Sequence, residues 1–416
     1  MSQLANCLPQ RDFDVAAVRA DFPNLARRVH GKPLIYFDNA ASAQRPRAML
    51  DAIEGYHTHS NANVHRGVHS LSQEATDAFE LARDQMRHFI GAADLEEVIF
   101  VRGATEAVNL VSQAFLRPRI KPGEQILISH MEHHSNIVPW QLLCGQTGAE
   151  LKVIPINSEG EIIQDAFEQM LNPKVKILAV VHVSNALGTI NPIERMVAAA
   201  HSHGIPVLVD GAQGAPHLSL DMVDLDCDFY CVSGHKMFGP TGIGVLYGKR
   251  EILESMPPYH GGGEMIRQVS FDGTTYNDLP FKFEAGTPNI AGAIGLGASA
   301  LYLSGLGLDR LRQYESELLA YATAAIEQIK GLRIIGTARD KAAVVSFAVE
   351  NVHPNDLGTI LDHQGVAIRT GHHCTMPLME FFGLPGTARA SLAFYNTREE
   401  VDDFIVALQQ AIKMLA

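Results

Sequence analysis

Tryptophan occurs once and cysteine five times in 416 residues. No apolar run approaches the ~20 residues that cross a bilayer; the run Ile177–Val181 stops at His182. Basic residues are outnumbered, with Lys+Arg 33 against Asp+Glu 46 and a formal charge of −13. Phosphate backbones demand a basic stripe, so this balance speaks against a nucleic-acid partner. The cysteines (Cys7, Cys144, Cys227, Cys231, Cys374) are odd in number and scattered. They make no disulfide framework and fit a reducing compartment. The first ten residues, MSQLANCLPQ, have neither a basic nor an apolar region. They predict no signal peptide, a cytoplasmic location and no membrane contact. Gly 35 and Pro 20 are ordinary usage, which excludes collagen-like and low-complexity chains. What is abundant is apolar mass: 46% hydrophobic residues supply a large core and exclude wholesale disorder.

Residues 1 to about 13 read as a loose polar leader, and a helical pattern starts near Phe13. After the short run Leu34–Phe37, apolar runs alternate with amphipathic stretches as far as about residue 248. The runs are Val98–Val101, Ile126–Ser129, Leu151–Pro155, Ile177–Val183, Val207–Val209, Phe229–Val232 and Gly244–Tyr247. Helical patterns fill the gaps at about 71–90, 105–117, 135–146 and 191–203. This alternation predicts an α/β fold with a mostly parallel sheet covered on both faces. Ligands of such sheets sit beyond the carboxyl ends of the strands. Residues 257–292, rich in Gly and Pro, read as loops and a crossover. Residues 291–330 read as one long helical pattern. Strands at Val344–Val349, Val366–Ile368 and Ala390–Ala393 and a helix from about 397 then predict a smaller α+β domain.

The residues that end the strands carry the chemistry. Val207–Val209 leads into Asp210, Gly211, Ala212 and Gln213; Phe229–Val232 leads into Ser233, Gly234, His235 and Lys236. Val98–Val101 leads through Gly103 and Ala104 to Thr105 at a helix start, Ile126–Ser129 to His133 and His134, and Ile177–Val183 to Asn185. A carboxylate, a lysine, a helix N-terminus, histidines and an amide thus meet at one rim. Pyridoxal phosphate needs that set: a Schiff-base lysine, a carboxylate facing the ring nitrogen and a phosphate cradle. Lys236, Asp210 and Thr105 fill those roles, and Ser233 and His235 add phosphate donors.

Plainer readings compete. Asp before Gly is often only a turn former. Ser233 and Lys236 match the S-x-x-K of β-lactamase-type enzymes, but neither partner motif occurs. Gly295–Ala300 fits the loose dinucleotide pattern, yet no strand precedes it, so it reads as helix packing. Cys374 stands in R-T-G-H-H-C-T-M-P with Arg369, His372 and His373 nearby; cationic neighbours favour a nucleophilic thiolate. Cys227 and Cys231 read as structural, Cys144 and Cys7 as incidental. The histidine pairs invite zinc, but no dense ligand spacing supports it, and no metal is expected.

Taken together, the motifs resemble the group II cysteine desulfurases of the SufS/CsdA type, within the fold type I, class V aminotransferase-like enzymes. The resemblance rests on Y-F-D-N-A-A (36–41), N-V-H-R-G (63–67), M-E-H-H-S-N-I-V-P-W (131–140) and H-V-S-N-A-L-G (182–188). V-D-G-A-Q (209–213), S-G-H-K-M-F-G-P-T-G (233–242), F-E-A-G-T-P-N (283–289) and R-T-G-H-H-C (369–374) complete it. It implies a large domain over 25–292 with a seven-stranded sheet, and a small C-terminal domain over 293–416 carrying the catalytic cysteine. A segment over 1–24 packs on the small domain.

The resemblance also implies the reaction: L-cysteine becomes L-alanine and its sulfur stays on Cys374 as a persulfide, destined for iron–sulfur cluster assembly. Lys236 holds pyridoxal phosphate and moves the Cα proton, and His133 stacks on the ring. Asp210 and Gln213 hold the ring nitrogen and hydroxyl. Ala104, Thr105, Ser233 and His235 bind the phosphate, with Thr287 from the second subunit of a homodimer. Asn185 and Arg389 hold the substrate carboxylate; His65, Arg66 and Arg369 also match active-site positions. Thr375, where the family often has alanine, leaves the chemistry intact. The sequence R-T-G-H-H-C resembles members that pass sulfur to a SufE-like acceptor. The same resemblance allows selenocysteine lyase activity, while a class V aminotransferase, needing no nucleophilic cysteine, is the alternative.

Overall fold

Seven runs of Val, Ile and Leu become the strands of a central sheet. They are β1 (Val98–Val101), β2 (Gln125–Ser129), β3 (Glu150–Ile154), β4 (Val175–Val181), β5 (Val207–Asp210), β6 (Phe229–Ser233) and β7 (Gly244–Gly248). The structure, a computed structural model, describes residues 13–415; the expectations for the leader and Cys7 fall on residues 1–12, outside the described part. Strand order is β1-β7-β6-β5-β4-β2-β3, parallel throughout except for β7, which is antiparallel to β1 and β6. Successive side chains of a strand point to opposite faces. In β4, Leu178 and Val180 enter one core while Ile177 and Ala179 enter another. Burial on both sides is why these strands are continuously apolar.

Four antiparallel strands form a second sheet: β8 (Leu332–Ile335), β9 (Val344–Val349), β10 (Arg369–Gly371) and β11 (Thr387–Ser391), ordered β8-β9-β11-β10. Helices Leu308–Glu327 and Arg398–Leu415 cover it with a core of their own. Ile35–Tyr36 pairs in parallel with Val366–Ala367, which carries fully buried Phe37 against Phe404 in that core. The two sheets meet beside the loop after β4. There Ser346 Oγ donates to the Ala186 carbonyl and Arg389 Nη1 to the Asn185 carbonyl.

Several expected elements differ. The long helix expected over 291–330 is two helices, Ile290–Leu306 and Leu308–Glu327, bent by 76°. Gly307, at φ +85°, makes the break, a backbone state that costs glycine little. The first of the two packs on helices Arg47–His59 and Ser70–Ile90, where Gly297 leaves no room for a Cβ beside Ala82. Within the loops expected over 257–292, Ile266–Ser270 and Gly273–Tyr276 form an exposed hairpin. Its two-residue loop is Phe271-Asp272, with Gly273 at the fourth turn position, where glycine is favoured. The helix expected over 105–117 is α-helical at Ala104–Leu110 and continues as π turns over Val111–Leu116. β4 ends two residues earlier than expected, and β11 lies about three residues upstream of the expected Ala390–Ala393.

Candidate active site

Asp210 closes β5 between Val181 of β4 and Cys231 of β6, and is 2% exposed. Its Oδ1 accepts from Ala212 N at 3.0 Å; its other oxygen has no partner among the described residues. Burial raises this carboxyl above its ordinary range against the opposing pull of Lys236. The strand end is rigid because Tyr230 lies directly behind it. A Cβ on Gly211 would sit 1.9 Å from the Tyr230 ring, so only glycine fits there. Lys236 follows β6 in the turn Gly234–Lys236. Burial lowers its amine below the ordinary lysine range, and Arg389 and Arg369 add to this while Asp210 opposes it.

Gly103 leads from β1 into the next helix at φ +145°, a conformation that side chains rarely adopt. It aims Ala104 N at Ser233 Oγ, 3.1 Å away, and places Thr105 on the helix's first turn. The helix end and the β6 turn thus share one corner, as an anion cradle requires. His235 joins it, with Nδ1 3.4 Å from Ser42 Oγ. Burial, with Lys236 and Arg45 nearby, brings His235 down to about 4, so the ring is neutral. Gln213 Nε2 donates to the Ala40 carbonyl at 2.6 Å.

His133 Nδ1 accepts from Ser135 N at 3.0 Å, which places the ring proton on Nε2. Burial first, then the charge of Lys236, drives this imidazole down to about 3. Arg389, 1% exposed, gives Nη1 to the Asn185 carbonyl at 2.9 Å and Nη2 to Asp38 Oδ1 at 3.0 Å. Its Nε and Asn185 Oδ1 are buried without partners. Cys374 lines the same cavity, at φ +59°. Of its expected basic neighbours, His373 also lines the cavity, but its Nε2 meets Thr387 Oγ1 at 2.8 Å and burial keeps it neutral. Arg369 is the cation that lines the cavity with the thiol.

All the expected site residues except Thr287, His65 and Arg66 line one cavity of about 250 Å³. Thr287 borders a separate cavity with Arg102 and His260. His65 pairs with Glu80 at 2.9 Å and Arg66 with Glu264 at 2.9 Å. The cavity fits pyridoxal phosphate: a buried amine, a buried carboxylate with one free oxygen, a neutral imidazole and an N–H-lined corner converge without filling it. Sequence reasoning missed Asp38, although it stands inside the quoted Y-F-D-N-A-A. It also missed Glu132, which is fully buried and accepts from Asn136 Nδ2 at 2.7 Å and Val181 N at 2.9 Å. Burial lifts Glu132 to about 8. No periodicity marks either residue; only charge inside an apolar frame does.

The aminotransferase class V family matches residues 35–404. The cysteine desulfurase of Synechococcus elongatus is 50% identical over 398 residues, which cover 96% of this chain and 64% of that protein. The probable cysteine desulfurase of Xylella fastidiosa is 49% identical over 407 residues, 98% of each chain. Among solved structures, the Escherichia coli cysteine desulfurase CsdA, in its S-sulfonic acid form, superposes with a TM-score of 0.91 at 40% identity. That alignment covers 98% of this chain and 100% of the other.

Proposed function

The chain belongs to the class V aminotransferase family, and from that premise we propose that it is a pyridoxal-phosphate-dependent cysteine desulfurase. The observation that carries this reading is the cavity itself, which buried Lys236 and Asp210 line together with Cys374.

Pyridoxal phosphate, when bound, supplies an electron sink that makes the substrate's Cα proton acidic. Asp210 would hold the ring nitrogen's proton and the neutral His133 imidazole would lie against the ring. Ala104, Thr105, Ser233 and His235 would hold the phosphate. Arg389 grips the L-cysteine carboxylate through its unpartnered Nε, and Asn185 Oδ1 faces the same group. Lys236 Nζ takes the proton from Cα. Cys374 Sγ, as thiolate, attacks the substrate sulfur. A sulfur–sulfur bond forms as the Cβ–S bond breaks, and the electron pair remains on the carbon fragment. Protonation at Cβ, return of a proton from Lys236 Nζ to Cα and release give L-alanine and leave a persulfide on Cys374.

A homodimer belongs to the same reading. Thr287, His65 and Arg66 lie outside their own chain's cavity, and a second subunit is the natural place for them to act. We assign the persulfide to a SufE-like acceptor and iron–sulfur cluster assembly, with selenocysteine as a further substrate. No single helix among the described residues is long and apolar enough to cross a membrane; the four cysteines among them are free, which supports a cytoplasmic setting.

The test is a visible spectrum before and after borohydride, followed by L-cysteine with assays for alanine and sulfide. A yellow protein whose chromophore is trapped on Lys236, and which makes alanine, is expected. A yellow protein that makes none points instead to an aminotransferase, and a colourless one unchanged by added cofactor overturns the reading.

A further inference from the structure

We propose that His134 is a positioning residue that clasps the Cys374 loop, its own N–H binding the Cys374 carbonyl and its imidazole Nε2 accepting the N–H of Met376. The inference rests on the reading of Cys374 as sulfur carrier.

Two consecutive residues of that loop, His373 and Cys374, hold left-handed backbone at φ +52° and +59°. Neither is glycine, so the shape is costly and persists only where contacts impose it. Upstream of the thiol, Asn185 Nδ2 donates to the His373 carbonyl at 2.8 Å and Thr387 holds the His373 ring. At the thiol and beyond it the tie passes to His134. The His134 N–H reaches Cys374 O at 2.8 Å, and Met376 N reaches His134 Nε2 at 3.1 Å. The two bonds flank Thr375, directly after the cysteine. The His134 ring also packs on His372, with centroids 5.6 Å apart and planes 33° apart. A longer contact, His130 Nε2 to Pro377 O at 3.3 Å, follows downstream.

The clasp sits one residue from His133, in the turn His134–Asn136 that faces the cavity. One turn therefore fixes the imidazole meant for the cofactor ring and the loop bearing the thiol. A neutral His134 can accept from Met376, and partial burial beside His372 lowers its proton affinity in that direction. Sulfur on Cys374 faces the cavity while the clasp holds. In the proposal, opening of the Met376 bond frees the loop that bears the sulfur.

Alkylation of the full-length protein by iodoacetamide, followed by peptide mass spectrometry, reads this opening without any turnover. Loss of one net hydrogen bond predicts that Cys374 in His134→Ala reacts about fivefold faster than in the parent. His134→Gln, whose amide oxygen replaces the Nε2 acceptor, should return the rate most of the way. Cys144, partly exposed in another helix, is the internal control and should not change. An unchanged Cys374 rate in His134→Ala overturns the proposal, as does an equal acceleration at Cys144, which would mean general loosening. Should His134→Ala fail to fold, hydrogen exchange at Met376 in the parent decides: protection supports the clasp, and exchange at the open-chain rate refutes it. A protein that makes no alanine from cysteine would end the desulfurase reading and leave these rates intact.

Discussion

Replacing Asp38 by Asn tests the charge balance of the carboxylate-binding wall. Arg389 is a fully buried guanidinium whose anionic contact is Asp38 Oδ1, 3.0 Å from Nη2. At an effective dielectric of about 20 that separation corresponds to roughly 5 kcal/mol of attraction. Part of it offsets the burial of Asp38, whose carboxyl is raised by desolvation even with Arg389 beside it. Removing one partner of a buried pair costs about 3–5 kcal/mol, because the other charge stays buried alone. Asn keeps an oxygen for Nη2, and the Asp38 side chain is 24% exposed, so the expected cost is about 3 kcal/mol. With a urea slope of about 3 kcal/mol/M, the unfolding midpoint should fall by about 1 M. A second readout separates charge from shape. An Arg389 without its counter-ion should hold the substrate carboxylate at least as tightly, so KM for L-cysteine should not rise. An unmoved urea midpoint would refute the counter-ion role. A KM raised tenfold or more would show that Asp38 sets the guanidinium's position rather than its charge.

Cys374→Ala should remove more than about 99% of alanine formation, since the nucleophile is gone, while the borohydride-trappable chromophore on Lys236 stays; retained turnover would favour an aminotransferase. Gly211→Ala forces a methyl to 1.9 Å from the buried Tyr230 ring. The Asp210 strand end must shift, and cofactor affinity, measured by absorbance titration, should drop about tenfold or more, matching an overpacking cost of roughly 1–3 kcal/mol. Arg83, 0% exposed, makes bonds of 2.6 and 2.9 Å to both Glu284 oxygens. Arg83→Met should cost about 3–5 kcal/mol in urea unfolding, and adding Glu284→Gln should recover much of it. His133, held down to about 3, should show no ring titration by NMR between pH 5 and 8. Because its folded proton affinity lies below the unfolded value, its stabilising contribution is full above pH ~6.5 and is lost as pH falls below it.

The parts legible in the sequence are those where one physical demand dominates a segment. A parallel strand buried on both faces must be apolar throughout, so β1, β5 and β6 stand out with ends placed to within a residue. The residue after such a run lies at the sheet's carboxyl rim, which is why the sequence alone groups Asp210, Ser233 and Lys236. Positions decided by two demands at once were harder to read. Leu continues across Gly307 while the apolar helix gives way to a charged, amphipathic one, and the backbone conformation of Gly307 shows the 76° bend there. The hairpin at 266–276 is exposed and half polar, so its one signal is Gly273 closing the turn, amid many glycines.

The cavity's second layer was hidden for a related reason. Asp38 and His134 act on other side chains and on backbone rather than on the ligand, so no cofactor chemistry singles them out. Their effect depends on distances between segments far apart in sequence: Asp38 meets Arg389 across 351 positions, and His134 meets Met376 across 242. Such pairs join the N-terminal and C-terminal stretches to the rim of the central sheet. The same closure that completes the carboxylate grip at Arg389 therefore also sets where Cys374 stands. A substitution that loosens one should be felt at the other. In Asp38→Asn, faster alkylation of Cys374 would reveal that coupling, and an unchanged rate would show that Asn185 and His134 hold the loop independently of the Arg389 pair.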